Sequence, residues 1–210
     1  MNTEMYMLTE TSEFMMSFVV VTKKNNVIII DGGRREDMPL LKKYVAGRHV
    51  SAWILTHAHS DHIEGFISEM TENGAADFDI GAVYYNFPDY DELIAITDVP
   101  DLAYFREELT ETLPAFNAVK DKFAKKARVV KRGDKIVVDE VTIDVLYSYT
   151  GGLYANLMND ASLVFRLSGE NKSVMFLGDL GPDGGDRLFR ESKDLLKADY
   201  CQMAHHGHMN

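Results

Sequence analysis

Residues 56–65 read THAHSDHIEG, with three histidines and an aspartate inside positions 57–62. The run that precedes it, HVSAWILT, is strand-like, and IEGFISEM after it is helical in pattern. Alternate side chains of an extended segment share a face, so His57 and His59 point the same way. Asp61 and His62 fall on the tight turn beyond and can aim at a second point nearby. The arrangement suits two cations, one held by His57 and His59, the other by Asp61 and His62. Imidazole and carboxylate donors suit zinc, iron or manganese. Cys201 is the only cysteine, which excludes a thiolate-cluster zinc site and an internal disulfide. A polar loop accounts for one or two such residues, not for four at this spacing.

Other segments add the same residue types. FLGDLG (176–181) puts Asp179 directly after a buried strand, where functional groups gather. AHHGH (204–208) offers His205, His206 and His208 at the end of the last expected strand, and IIIDGG (28–33) ends a strand on Asp31. Cys201 itself reads as a small buried strand residue.

Between the motifs, strand and helix patterns alternate. The β-branched runs 18–22 and 27–30 flank Lys-Lys-Asn-Asn, a hairpin signal. MPLLKKYVAG reads as a helix stopped at Gly47. IGAVYYN is a short strand, and 88–126 is mostly helical, interrupted near Pro100 and Pro114, as an insertion over the core and site. ARVVKRGDKIVV, EVTIDVLYS, ASLVFRLS and SVMFLGD are strands, DRLFRESKDLLKA is a helix, and DYCQMAHHGH is the last strand. Strands in both halves with helices between them predict two sheets packed face to face with helices outside.

The 210 residues suffice for one domain with a sizeable core, and the 46% hydrophobic share is that of a globular chain. No apolar run approaches the roughly 18 residues of a membrane span. The start, MNTEMYMLTE, has neither a basic region nor an apolar stretch, so no secretory signal and a cytoplasmic location are expected. A net charge of −11 argues against nucleic acid or an anionic membrane and favours a small-molecule substrate. The basic run 120–132 reads as a solvated helix end. Oligomeric state is not legible.

In this order, IIIDGG, THAHSDHIEG, LGD and HHG resemble the metallo-β-lactamase fold superfamily of metal-dependent hydrolases. The segment NDASLVFRL with SVMFLGD and AHHGH is similar to the hydrolase domain of DNA-uptake channel proteins and to the phosphorylcholine esterase branch. The resemblance implies an α/β fold, a four-layer αββα sandwich of two mixed β-sheets with helices on the outer faces. It also implies two divalent ions, zinc before iron or manganese. His57 and His59 would hold the first and Asp61 and His62 the second, with Asp179 bridging both. One of His205 and His206 would complete the second ion while its neighbour faces the substrate. Sequence does not separate this pair; we carry His206 as the ligand. Asp31 would sit behind the ligands and orient them.

The chain departs from the superfamily in one respect. A further histidine for the first ion usually comes from mid-chain, yet no histidine lies between His62 and His205. Asn156, Asn159 and Asp160 occupy that region, as site residues or as caps before ASLVFRL. The chain also stops three residues after HHG, so a C-terminal truncation, or a partner completing the fold, is expected.

The expected chemistry is hydrolysis by metal-activated water. Asp61 would orient the attacking oxygen. The non-ligand histidine of the 205/206 pair, or a tyrosine among Tyr84, Tyr85 and Tyr90, would protonate the leaving group. Tyr85 is carried as a substrate-facing candidate, with packing as its alternative. A phosphodiester or related phosphorylated small molecule is the first substrate class, and a thioester, lactone or other carboxylic ester the second. A metal-binding protein that has lost turnover is the reading from another class. The superfamily's name gives lactam hydrolysis little weight, because one fold hosts many reactions.

Overall fold

Six strands make the first sheet, in spatial and chain order: β1 (Glu4–Met7), β2 (Ser17–Val21), β3 (Val27–Asp31), β4 (Val50–Leu55), β5 (Val83–Tyr85) and β6 (Ala127–Val129). β1 to β3 pair antiparallel and β3 to β6 parallel, so the sheet is mixed. β7 (Lys135–Val138), β8 (Val141–Tyr147), β9 (Val164–Ser168), β10 (Ser173–Phe176) and β11 (Tyr200–Cys201) make the second, antiparallel except for β10 with β11. The computed structural model describes residues 2–95, 108–151 and 156–209.

Strand alternation builds the layers. Phe18, Val20, Ile28, Ile30, Ala52 and Ile54 turn inward and meet Ile143, Val145, Phe165, Leu167, Val174 and Phe176 of the second sheet. Their neighbours Val19, Val21, Ile29, Trp53 and Leu55 turn outward. There they pack under α1 (Met38–Val45), α2 (Ser60–Asn73) and α4 (Leu113–Phe123), through Leu41, Phe66 and Phe116. On the outer face of the second sheet, α6 (Pro182–Ser192) lays Leu188 against the cluster that holds Tyr147 and Met175. Helices outside two mixed sheets are the αββα arrangement expected.

Several local expectations are corrected. Residues 127–138 are two strands in different sheets, because Gly133 (φ 95°) turns the chain between β6 and β7. β1 has no counterpart in the sequence reading; its pairing with β2, not any periodicity, makes it a strand. β11 holds only two residues, and Cys201 is exposed there, since β11 is a sheet edge. The basic run 120–132 covers both the end of α4 and β6. Within 88–126, α3 (Tyr90–Ala95) and α4 are helices, while 96–107, with Pro100, lies outside the described residues.

Candidate metal centre

β3 and β4 run parallel and end together, bringing IIIDGG and THAHSDHIEG to one edge of the sandwich. α2 begins at Ser60, three residues earlier than its apolar pattern suggests, with His59 extended at the cap position. His57 and His59 therefore precede the helix, and Asp61 and His62 lie in its first turn, where a negative charge is favoured by the helix dipole. Gly65 allows the close approach: a Cβ there would lie 2.7 Å from the Gly32 carbonyl oxygen. Gly32 N–H donates to the His62 carbonyl (2.7 Å) and Gly65 N–H to that of Gly33 (2.9 Å), locking the two motifs together.

Asp31 is fully buried, with φ 55° at the strand end. Its Oδ1 accepts the Thr56 N–H (2.7 Å), and its Oδ2 accepts the Thr56 hydroxyl (2.7 Å) and His62 Nδ1 (2.8 Å). Trp53 Nε1 donates to its carbonyl at 2.9 Å. With its proton given to Asp31, the Thr56 hydroxyl acts as an acceptor toward His57 Nδ1 at 3.2 Å and His62 Nδ1 at 3.3 Å. Both imidazoles thus hold a proton on Nδ1 and turn Nε2 to the centre. Sequence alone assigned no role to Thr56, which here links Asp31 to His57; its place directly before His57 was the available signal.

Asp179 follows β10, and its N–H donates to Ser162 Oγ at 3.0 Å. Its carboxylate reaches all sides of the cluster: Oδ1 is 3.1 Å from His62 Nε2, and Oδ2 is 3.7 Å from both His57 Nε2 and His206 Nε2. His206 Nε2 donates to Asp61 Oδ2 at 2.9 Å. His205 and His206 do not alternate on a strand as expected. They occupy a turn, Ala204–Gly207, at φ 51° and 54°, backbone that non-glycine residues rarely adopt and that gathers at functional sites. Gln202, another unassigned residue, holds the turn in place: its side chain accepts the Leu177 N–H (2.9 Å) and donates to the Gly178 carbonyl (3.1 Å).

Two groups of ligand atoms result, Asp61, His62, Asp179 and His206 in one, His57, His59 and Asp179 in the other, each within 4.8 Å internally. The donors fit divalent cations. His57 Nε2 is buried without a hydrogen bond, an arrangement costly to folding unless a ligand satisfies it. Burial, then the neighbouring His62 and His59, hold the His57 imidazole well below its usual pKa, in the neutral form that ligates. Burial opposes ionisation of Asp179, but His62 and His206 outweigh it and bring the carboxyl down to about 2. Asp61 behaves alike: burial is overcome by His62, the His206 hydrogen bond and His57, leaving its pKa well below normal.

The remaining candidates make other contacts. Asp160 ends α5 (Leu157–Asp160), and its Oδ1 accepts the N–H of Gly184 at 2.8 Å, capping the first turn of α6. Asn159 is buried beside it. Tyr85 packs its ring on Phe87, Phe116 and Phe123, the packing alternative.

The sequence model of the metallo-beta-lactamase superfamily matches residues 14–77, which include the opening motif. No curated protein matches the sequence. Among solved structures, a B3 metallo-beta-lactamase with an active-site glutamic acid superposes with a TM-score of 0.63 at 17% identity, over 96% of this chain and 76% of that one. AidC, a dizinc quorum-quenching lactonase in complex with a product, gives 0.54 at 18%, over 87% and 67%. A metallo-beta-lactamase from Staphylococcus aureus subsp. aureus COL gives 0.56 at 14%, over 99% of this chain and 57% of that one, so this chain spans little more than half its length. At these identities the likeness is one of fold.

Proposed function

We propose that this chain, which has the metallo-β-lactamase fold and matches the superfamily's sequence model over residues 14–77, is a metal-dependent hydrolase of phosphodiesters or related phosphorylated small molecules. The observation that carries the reading is the convergence of six histidine and aspartate side chains into two groups sharing Asp179. His57, His59 and Asp179 would hold one divalent ion, and Asp61, His62, Asp179 and His206 the other, with zinc first among candidates. When bound, such a pair supplies a water acidic enough to ionise near neutral pH and polarises the bond under attack. Asp61, kept ionised by His62 and His206, accepts a hydrogen bond and orients the attacking oxygen. Asp31 and Thr56 fix the ring tautomers of His62 and His57. His205, whose Nδ1 is buried without a hydrogen bond, is the proton donor to the leaving group.

A cation beside the cluster supports the phosphate preference. Arg34 Nη1 donates to Ser60 Oγ at 3.3 Å, one residue beyond His59; both line a small cavity with Glu64, Glu111 and Thr112, and Arg34 Nη2 also lies 3.7 Å from Glu13. Resemblance to the phosphorylcholine esterase branch points the same way. Carboxylic ester, thioester or lactone hydrolysis is the second reading, motivated by the apolar side chains of Phe14 and Met203, which line one groove with His206.

Zinc-loaded protein assayed on bis(4-nitrophenyl) phosphate, with 4-nitrophenyl acetate, a thioester and a lactone in parallel, tests both readings. Phosphodiester turnover that disappears in the Asp179→Ala variant is the expected result. A metal-replete protein inert to the whole panel rejects both enzyme readings and leaves a metal-binding protein without turnover.

A further inference from the structure

Between α2 and the start of α4 lies a cavity of about 250 Å³. One face of α2 supplies Ser60, Glu64 and Ile67, at positions i, i+4 and i+7. Glu111, Thr112 and Ala115 form the opposite wall, and Arg34 enters from the loop after β3. No residue of the edge strands β1 and β11, nor of the C-terminal turn, lines it. The volume falls below the roughly 300 Å³ at which sites for drug-sized ligands begin, so it takes one small group of a substrate.

Ser60 ties the cavity to the metal centre, because it stands between His59 of one ligand group and Asp61 of the other. A group seated against the Ser60 hydroxyl is one residue from ligands of both. None of the ligand side chains lines the cavity itself. What binds there is therefore not the bond under attack but a part of the same molecule beside it.

The lining decides the chemistry of that part. Its charges are one guanidinium and two carboxylates, so a cation meets Arg34 and an anion meets Glu64 and Glu111. A neutral hydroxylated group avoids both conflicts: its hydroxyls donate to the carboxylates and accept from the guanidinium. Arg34 has N–H groups to spare. Nη1 makes one bond of 3.3 Å to Ser60, Nη2 lies 3.7 Å from Glu13, beyond hydrogen-bond reach, and Nε is buried without a hydrogen bond. Ser60 accepts from Nη1 and keeps its own proton to donate. Ile67 and Ala115 give the C–H faces of such a group an apolar surface. We infer that the cavity binds a neutral vicinal diol of the substrate, part of a glyceryl or sugar group, next to the ester that is cleaved. The inference rests on the hydrolase reading and names its substrate class more closely.

The test uses the zinc-loaded protein and matched 4-nitrophenyl phosphodiesters. The glyceryl ester is compared with the propyl ester, and the methyl ribofuranoside ester with the tetrahydrofurfuryl ester; in each pair only the first carries the diol. Two hydrogen bonds should raise kcat/KM about tenfold over the diol-free partner, and the pair with the larger ratio tells an open-chain polyol from a sugar. The cationic aminoethyl and anionic carboxyethyl esters react no faster than propyl. Glu64→Ala and Glu111→Ala, checked for unchanged zinc content and circular dichroism, each lower the ratio about threefold or more. Glu170→Ala, an equal change at a partly exposed glutamate outside the cavity, leaves it as in the parent. In parallel, the metal-free protein is titrated with methyl β-ribofuranoside and with glycerol and followed by two-dimensional amide NMR. The amides of Ser60, Glu64, Thr112 and Ala115 shift, less so in Glu64→Ala, while tetrahydrofurfuryl alcohol leaves them in place. A ratio near one in both pairs, a preference for either charged ester, a ratio unchanged in both glutamate variants, or amides that neither diol moves overturns the proposal. No turnover of any ester, with the amide shifts present and weakened in Glu64→Ala, rejects the hydrolase reading and leaves the cavity as a diol site.

Discussion

The group of Asp61, His62, Asp179 and His206 and the group of His57, His59 and Asp179 share one carboxylate, yet the chain supplies them differently. The first draws on α2, the loop after β10 and the C-terminal turn, and sets two carboxylates against one cation. The second draws on the segment between β4 and α2 and on the loop after β10, and has the shared Asp179 as its single carboxylate. Support differs too: His62 is anchored by a charge-assisted bond to Asp31, whereas His57 leans on the hydroxyl of Thr56 at 3.2 Å and His59 is partly exposed. More ligands, more negative charge and a firmer backing all favour the four-residue group, so its ion should bind tighter and the other should exchange.

Asp179→Ala attacks what the groups share and carries the largest expected effect. Both ions should be lost, and phosphodiester turnover should fall at least about a thousandfold. Two zinc ions per chain in the variant, measured by mass spectrometry, would break the picture of a shared carboxylate. The single-group variants separate the halves. Zinc titration of the metal-free protein against a competing chelator should show two steps, and His57→Ala should remove only the weaker. His206→Ala should weaken the tighter step by more than about a hundredfold. One merged step, or loss of both in His57→Ala, contradicts the inequality.

Asp31→Asn probes the difference in backing, since Asn still bonds Thr56 but no longer offers His62 a charged acceptor. A tenfold to hundredfold loss in the affinity of the tighter step is expected, roughly the cost of a lost supporting carboxylate. Protons report on the same pair of residues in the metal-free protein. Burial pushes the His62 pKa down, but Asp179, Asp61 and Asp31 raise it well above normal. Its contribution to stability is therefore complete below its unfolded value of about 6.5 and is lost as pH rises through the folded one. Asp179, lowered to about 2, contributes above its unfolded value of about 3.9 and loses that contribution as pH falls toward 2. Urea midpoints with chelator present should be higher at pH 5 than at pH 9 or pH 2.5; a midpoint rising from pH 5 to 9 would remove the His62 account.

Much of this centre was legible in the chain because its chemistry is local. Four ligand candidates fall within positions 57–62, and their alternation follows from strand and turn geometry alone. The alternating apolar positions in β2, β3 and β4 announced the two-faced sheets in the same way. What stayed hidden depended on residues meeting across the fold. β1 is a strand only because β2 pairs with it, and the bonds of Thr56 to Asp31 join positions 25 residues apart. The choice between His205 and His206 could not come from strand alternation, because both lie in left-handed turn backbone. His206 joins the ligand group through contacts that span 145 residues.

The smallest predicted effect concerns α5, where Asn156, Asn159 and Asp160 stand in place of the mid-chain histidine. If the three-residue group drew a ligand from this helix, the inequality between the two groups would shrink. The Asp160 carboxylate already has an occupation. Its Oδ1 accepts the Gly184 N–H at 2.8 Å, and its carbonyl accepts the Tyr147 hydroxyl at 2.7 Å. The first N–H groups of a helix lack partners within it, and a capping carboxylate supplies one. Asp160→Ala should therefore lower stability by about 1 kcal/mol, read from urea unfolding, with both zinc steps unmoved. Asp160→Asn, which keeps the acceptor oxygen, should recover most of that loss. A variant that kept its urea midpoint and lost the weaker zinc step would invert the assignment, making Asp160 the missing ligand and the two groups equal in number.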